Sequence, residues 1–198
     1  FSFIILIIIK KDMKTSNYIF FIISCIFISC NSDISTYNIN VDNDQRFILV
    51  DFSKSSIQKR LWVIENNKVL LHTYVSHGRK SGELFAKKFS NIIGSNMSCL
   101  GKFKTGEAYT GKHGLSMKIY GLDETNSNAH KRGIVFHASK YSTFKHILRY
   151  GKLGRSLGCF STSPEDNDLI IKLATEKGSI PFILGKFGFE RHPVAITK

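Results

Sequence analysis

Two side chains in this sequence have the types and settings that acyl transfer needs. His137 ends the apolar run Gly133-Ile134-Val135-Phe136-His137-Ala138, and Cys159 lies in Gly154-Arg155-Ser156-Leu157-Gly158-Cys159-Phe160. A histidine at the end of an apolar strand is held rigidly by its sheet. A cysteine just ahead of a helix start is expected to feel the positive end of that helix, which favours thiolate. Gly158 removes bulk beside the sulfur, so a carbonyl can approach, and the backbone N–H groups around Gly158 and Cys159 can face a developing oxyanion. His137 can take the thiol proton and return it to a leaving amine. A separated Cys and His prove little alone, because buried cysteines are usually small hydrophobes. Their context has to carry the case.

The surrounding pattern predicts a mainly β domain. Phe47–Phe52 reads as a strand. Leu61–Ile64 and Val69–Ser76 flank the turn Glu65-Asn66-Asn67-Lys68 and read as a hairpin, since asparagine tolerates the positive φ of a tight reversal. Residues 77–100, rich in Gly, Ser and Lys, read as a long loop, and loops of that length are usually functional or disordered. Further strands are expected at Lys102–Thr105, Ser116–Tyr120 and Gly133–His137, short and punctuated by glycines. Two helices follow. One runs from Thr143 to about Tyr150, bounded by Ser142 and stopped by Gly151. The other has Ser163 as N-cap, Pro164 at its first position, Asp166 two residues on and Gly178 as its stop. Ile180–Leu184 reads as a last strand, and no internal repeat is visible.

With the histidine, Ser156-Leu157-Gly158-Cys159, the capped helix and the last strand in this order, the sequence resembles the murein L,D-transpeptidase catalytic domain family. Further segments share the likeness: Val50-Asp51-Phe52-Ser53-Lys54, Lys59-Arg60-Leu61-Trp62-Val63-Ile64, His72–Gly78 and Gly111-Lys112-His113-Gly114-Leu115-Ser116. The resemblance implies an L,D-transpeptidase-like β-sandwich or barrel, with one or two short helices flanking the Ser-x-Gly-Cys motif, and no metal or cofactor. It implies peptidoglycan stem peptides as substrate, with Cys159 as nucleophile and His137 as base. Cys159 would attack the L-centre carbonyl of diaminopimelate in a donor tetrapeptide, release D-Ala and pass the thioester to an acceptor amine. Water as acceptor would make the chain an L,D-carboxypeptidase. A wall-binding lipoprotein without turnover is the reading from another class. The family's base is typically oriented by a backbone carbonyl, so no acidic partner is expected. The chain departs from the family pattern at Leu157, where many members have His, and at Ser161, where Arg or Asn is common. Phe144–Tyr150 lengthens the stretch between His and Cys. Ser156 and Gly158 are the other motif positions. Arg155 is a candidate to hold a stem carboxylate, and Tyr120 and His113 are candidates to line the cleft, as His77 is.

The ends suggest export. After the apolar run Phe1–Ile9 and Lys10-Lys11-Asp12, a secretory pattern restarts at Met13, with Lys14, the apolar run Ile19–Ile28 and then Ser29-Cys30. A small residue before cysteine at that place resembles a bacterial lipobox. The expected start is therefore Met13, with residues 1–29 removed and Cys30 lipidated. About a dozen apolar residues are few against the roughly 20 of a spanning helix. Residues 30–45 are rich in Asn, Ser and Asp and read as a tether, leaving 46–198 as the catalytic domain. Removing 29 of the 198 residues leaves 169, enough for one core. The segment takes three Lys and one Asp with it, so the net charge of +13 becomes about +11. The basic residues are scattered, with no basic arm or aromatic-basic string, which argues against nucleic acid and favours anionic envelope partners. The expected setting is the cell envelope, facing the periplasm, as a monomer on an inner- or outer-membrane lipid anchor. Only Cys99 and Cys159 remain in the domain, too few for a disulfide framework, although one pair can still bridge. Cys99 reads as core. His72, His77 and His113 match no zinc spacing.

Overall fold

The computed structural model describes residues 39–40, 46–178, 181–185 and 194–195. All belong to one compact unit, Ile34–Lys198. Residues 1–29, read as a signal segment, and Cys30 lie outside the described residues. The elements, in order, are β1 (Ile39–Asn40), β2 (Arg46–Asp51), β3 (Leu61–Glu65), β4 (Lys68–Thr73), β5 (Lys102–Gly111), β6 (Gly114–Gly121), β7 (Val135–Ala138), α1 (Phe144–Tyr150), β8 (Phe160–Thr162), α2 (Pro164–Glu176), β9 (Pro181–Gly185) and β10 (Val194–Ala195). The protein is mainly β with two short helices. Within the stretch read as tether, Ile39–Asn40 pairs in parallel with β10, a strand that the sequence did not announce after β9.

The main sheet has eight strands in the order β4-β3-β2-β9-β5-β6-β7-β8. Beyond β4 the chain runs on through Tyr74 and Val75, and Ser76 bridges Ser161 of β8 in antiparallel fashion. The two ends of the sheet are thereby joined, as in a barrel. The β3–β4 hairpin turns where expected, at Asn66 and Asn67 with φ 51° and 58°. That pair of left-handed residues is what a two-residue reversal between twisted strands requires.

The sequence undercounts the β5–β6 hairpin. Glycines 106 and 111 mark it as a set of short pieces, yet β5 runs ten residues, Lys102–Gly111. Gly106 falls at a register shift between Thr105 and Ala108, and the Tyr120 ring occupies the place its Cβ would take, 2.4 Å away. The glycine here makes room for a cross-strand ring and does not end the strand.

One core fills the sheet's interior, with Phe160 at its centre. Its ring lies 5.9 Å from Phe52, 5.8 Å from Phe103 and 5.3 Å from Phe136. Helix α2 covers this core with Ile170, Ile171 and Ala174. Ser163 caps it as predicted, accepting from the Asp166 N–H, and Thr73 donates to the Asp166 carboxylate. Helix α1 is capped by Thr143, one residue later than the sequence suggests, and closes on Gly151 in the left-handed region. Residues 77–100 carry no helix or strand. Among the described residues, no helix is long and apolar enough to cross a membrane.

Candidate active site

β7 and the start of β8 position the two candidate side chains, His137 and Cys159. They pair in parallel, with Phe136 beside Phe160 and His137 beside Ser161. Phe136 and Phe160 point into the core, so alternation turns His137, and Cys159 two residues before Ser161, to the opposite face. There Cys159 stands two residues back along the chain from Ser161, the partner of His137. The buried ring of Phe160 thus anchors the chain directly after Cys159.

His137 is 3% exposed. Its Nδ1 lies 2.9 Å from the Ala138 carbonyl, which can only accept, so Nδ1 carries the proton and Nε2 keeps its lone pair. Burial pushes the imidazole below its usual range, the Ala138 bond pulls it up, and His113 and Lys112 push it down again. A neutral base at neutral pH results. His113, at the tip of the β5–β6 hairpin, stacks on it with ring centroids 4.4 Å apart. The structure therefore brings this candidate into the site.

Cys159 is half-buried, and its Sγ donates to the Gly133 carbonyl at 3.5 Å. Burial pushes the thiol up, while the Val135 N–H, Arg132 and Lys112 pull it back. The expected helix effect takes another form. Three residues of β8 separate Cys159 from the α2 N-cap, and that N-terminus is satisfied by Ser163. The stabilising groups come from β7, Arg132 and the hairpin tip, elements distant in sequence.

The motif loop is braced by Ser156. Its hydroxyl accepts from the Gly158 N–H at 3.1 Å and donates to the Cys159 carbonyl at 2.7 Å. The Gly158 N–H is thus engaged within the loop, which leaves the Cys159 N–H as the motif's candidate oxyanion donor. Gly158 has φ +129°, and a Cβ there would lie 2.8 Å from the Met97 carbonyl and 2.7 Å from the Ile134 side chain. Ser98 links the long loop to the motif: it accepts from Gly78 N–H and donates to the Gly158 carbonyl at 3.2 Å. Arg132 ties the same loop down through Ser90, Ser95 and Met97. Ser98 and Arg132 carried no local signal in the sequence, and Lys112 none beyond its place in a family-like segment.

Three candidates lie elsewhere. Arg155 is already held by the Glu83 carboxylate and the Arg79 and Gly82 carbonyls, so it braces residues 79–83 and is no free carboxylate binder. Tyr120 donates to Glu107 and stacks on His130, contacts separate from those around Cys159. His77 does not line a cleft: it is buried, its Nδ1 2.8 Å from the Arg60 guanidinium. Leu157 is exposed at 57%. Ser161 sits in a buried hydroxyl cluster with Ser142 and Tyr141, where a longer side chain would not fit without displacement. Cys99 is core and free. Among the described residues, no three His, Cys, Asp or Glu side chains gather as a metal site.

A search of curated proteins finds no match. Among solved structures, the chain is similar to an L,D-transpeptidase from Mycobacterium smegmatis, at 14% identity and TM-score 0.44 over 72% of this chain and 59% of that one. It is similar to the helical cell shape determining protein Pgp2 of Campylobacter jejuni, at 14% identity and TM-score 0.48 over 77% and 52%. A third is an L,D-transpeptidase from Xylanimonas cellulosilytica, at 16% and 0.41 over 72% and 61%. The chain thus spans between about half and three fifths of the length of each. The L,D-transpeptidase catalytic domain family matches residues 27–183, most of the sequence and the whole of the site just described. By that match, the chain belongs to the L,D-transpeptidase catalytic domain family.

Proposed function

We propose that this protein is a peptidoglycan L,D-transpeptidase working by cysteine acyl transfer. The observation that supports it best is the tautomer of His137: with Nδ1 committed to the Ala138 carbonyl, Nε2 is a base on the same sheet face as Cys159. Family membership supports the substrate, since the family acts on peptidoglycan stem peptides. In the first half-reaction, Sγ bonds to the L-centre carbonyl carbon of diaminopimelate and its proton moves to Nε2. The tetrahedral oxyanion faces the Cys159 N–H. The C–N bond to D-Ala then breaks, and the proton passes to the departing amine. In the second, an acceptor amine attacks the thioester, its proton goes to His137 and returns to the sulfur as the C–S bond breaks.

Incubation of the protein with disaccharide-tetrapeptide, followed by mass analysis, tests this. Loss of D-Ala with dimer formation is expected. Loss of D-Ala with water addition would make the protein an L,D-carboxypeptidase instead. No turnover, with Cys159→Ala binding muropeptide as well as the parent, would leave a wall-binding protein and sink the enzyme reading. The same proposal places the domain in the cell envelope, exported and held by lipid on Cys30. Metabolic labelling with a tagged fatty acid, lost in Cys30→Ala, checks that anchor.

A further inference from the structure

The tip of the β5–β6 hairpin stands over the end of β7. Gly111 and Gly114 pair across it, and Ser116, two residues further, pairs with His137. This register sets Lys112 and His113 at the lip of the site, and the stacked rings of His113 and His137 hold the tip there. Both tip residues are exposed to solvent. Lys112 lies close enough to act on both His137 and Cys159.

The cations that bear on these two groups are Lys112, which acts on both, and Arg132, which acts on Cys159. Arg132 is occupied by three oxygens of the long loop. Lys112 has no acidic partner among the described residues, whereas Glu83, Glu107 and Glu65 each hold a cation elsewhere. A site edged by an unmatched cation draws an anion, and a lysine on its flexible stem suits a carboxylate as a mobile point charge. A tetrapeptide donor brings a carboxylate on either side of the scissile amide: that of the departing D-alanine, and that of the second centre of diaminopimelate.

We propose that Lys112, set by the His113–His137 stack, is the carboxylate-binding residue of the donor site. It pairs with a carboxylate beside the amide that Cys159 attacks, and so selects stems in which that group is free. This rests on the donor assigned above, and the test has one arm that does not.

That arm compares alkylation of Cys159 in the whole protein by iodoacetate, an anion, and iodoacetamide, its neutral near-isostere. The rates are read on the Cys159 peptide by mass spectrometry. The iodoacetate-to-iodoacetamide ratio should exceed that of a short cysteine peptide. It should fall about tenfold in Lys112→Ala, hold in Lys112→Arg and collapse near 1 M salt. An unchanged ratio in Lys112→Ala overturns the proposal. The second arm measures kcat/KM on the free tetrapeptide, its C-terminal amide and the form amidated on diaminopimelate. Lys112→Ala should lower turnover of the free acid about 10- to 100-fold and leave unaffected the one amide that lacks the bound carboxylate, which also tells the two sources apart. Equal losses on all three substrates would make Lys112 structural and end the proposal. A parent protein that turns over no tetrapeptide would sink the stem-peptide donor, and the alkylation ratio would then decide the anion site alone.

Discussion

Ser156 is the residue through which the motif loop keeps its shape, because one hydroxyl serves both Gly158 N–H and the Cys159 carbonyl. Ser156→Ala removes both bonds and lets the thiol shift. A misplacement near 1 Å is enough for a loss of roughly 100-fold in kcat/KM, with the fold retained, as circular dichroism alongside kinetics can check. His137 sets the acid limb of activity. Burial holds its pKa below 6.5, so kcat/KM should rise with pH to a midpoint under that value. His113→Ala uncovers the ring, easing the burial that holds its pKa down, and removes a neighbour that pushes it the same way. The limb should then move to higher pH, which a pH-rate profile or histidine NMR titration reads. Cys159, His137, Ser156 and Gly158 were legible in the sequence because each sits in a contiguous motif whose chemistry its neighbours announce. Ser98 and Arg132 were not, since only loop packing carries them to the motif, and Lys112 stood in a family-like segment whose role only strand register reveals. Arg155 misled for a related reason: its partner Glu83 is 72 residues away.

At the scale of elements, β8 is three residues long and depends on its first side chain. Phe160 is fully buried among three other phenylalanine rings. Phe160→Ala should cost about 3–5 kcal/mol in denaturant unfolding and lower activity even where the protein stays folded, since Cys159 precedes it directly. Most elements could be read from local chemistry: Asn66-Asn67 for the hairpin, Ser163-Pro164 for α2, Gly151 for the end of α1. The full length of β5 could not. Glycine is depleted in strands, so Gly106 reads as a break, and its true role depends on a tyrosine ring from the neighbouring strand. Strands β1 and β10 are two residues each and pair over a long separation, too little pattern for periodicity to find.

For the whole molecule, acid stability should depend on His77. Burial, and then Arg60, push its imidazole down to about 4 from 6.5. Between those values the unfolded chain binds a proton that the folded one excludes. Stability is therefore full above pH 6.5 and falls as the pH drops toward 4, by roughly 3 kcal/mol from this group. Urea unfolding at pH 7 and pH 4 measures the loss, and His77→Asn should flatten it. Arg60 is buried too, its own pKa drawn down by burial to about 9, still a cation at neutral pH. That cation keeps the His77 proton on Nε2, facing the Gly82 carbonyl.

The bridge from Ser76 to Ser161 has a consequence for how any peptide enters. β8 has β7 on one side and the Ser76 segment, bridged to it at Ser161, on the other, so the strand that leads from Cys159 offers no open edge there. β-Augmentation, in which a ligand is recognised by adding a strand through its own backbone amides, is closed to a substrate there. On the proposed function, a stem peptide would instead be recognised by its side groups and charges, a mode indifferent to whether its residues are L or D. An alternating L,D peptide cannot extend a regular sheet, and at β8 this protein does not ask it to.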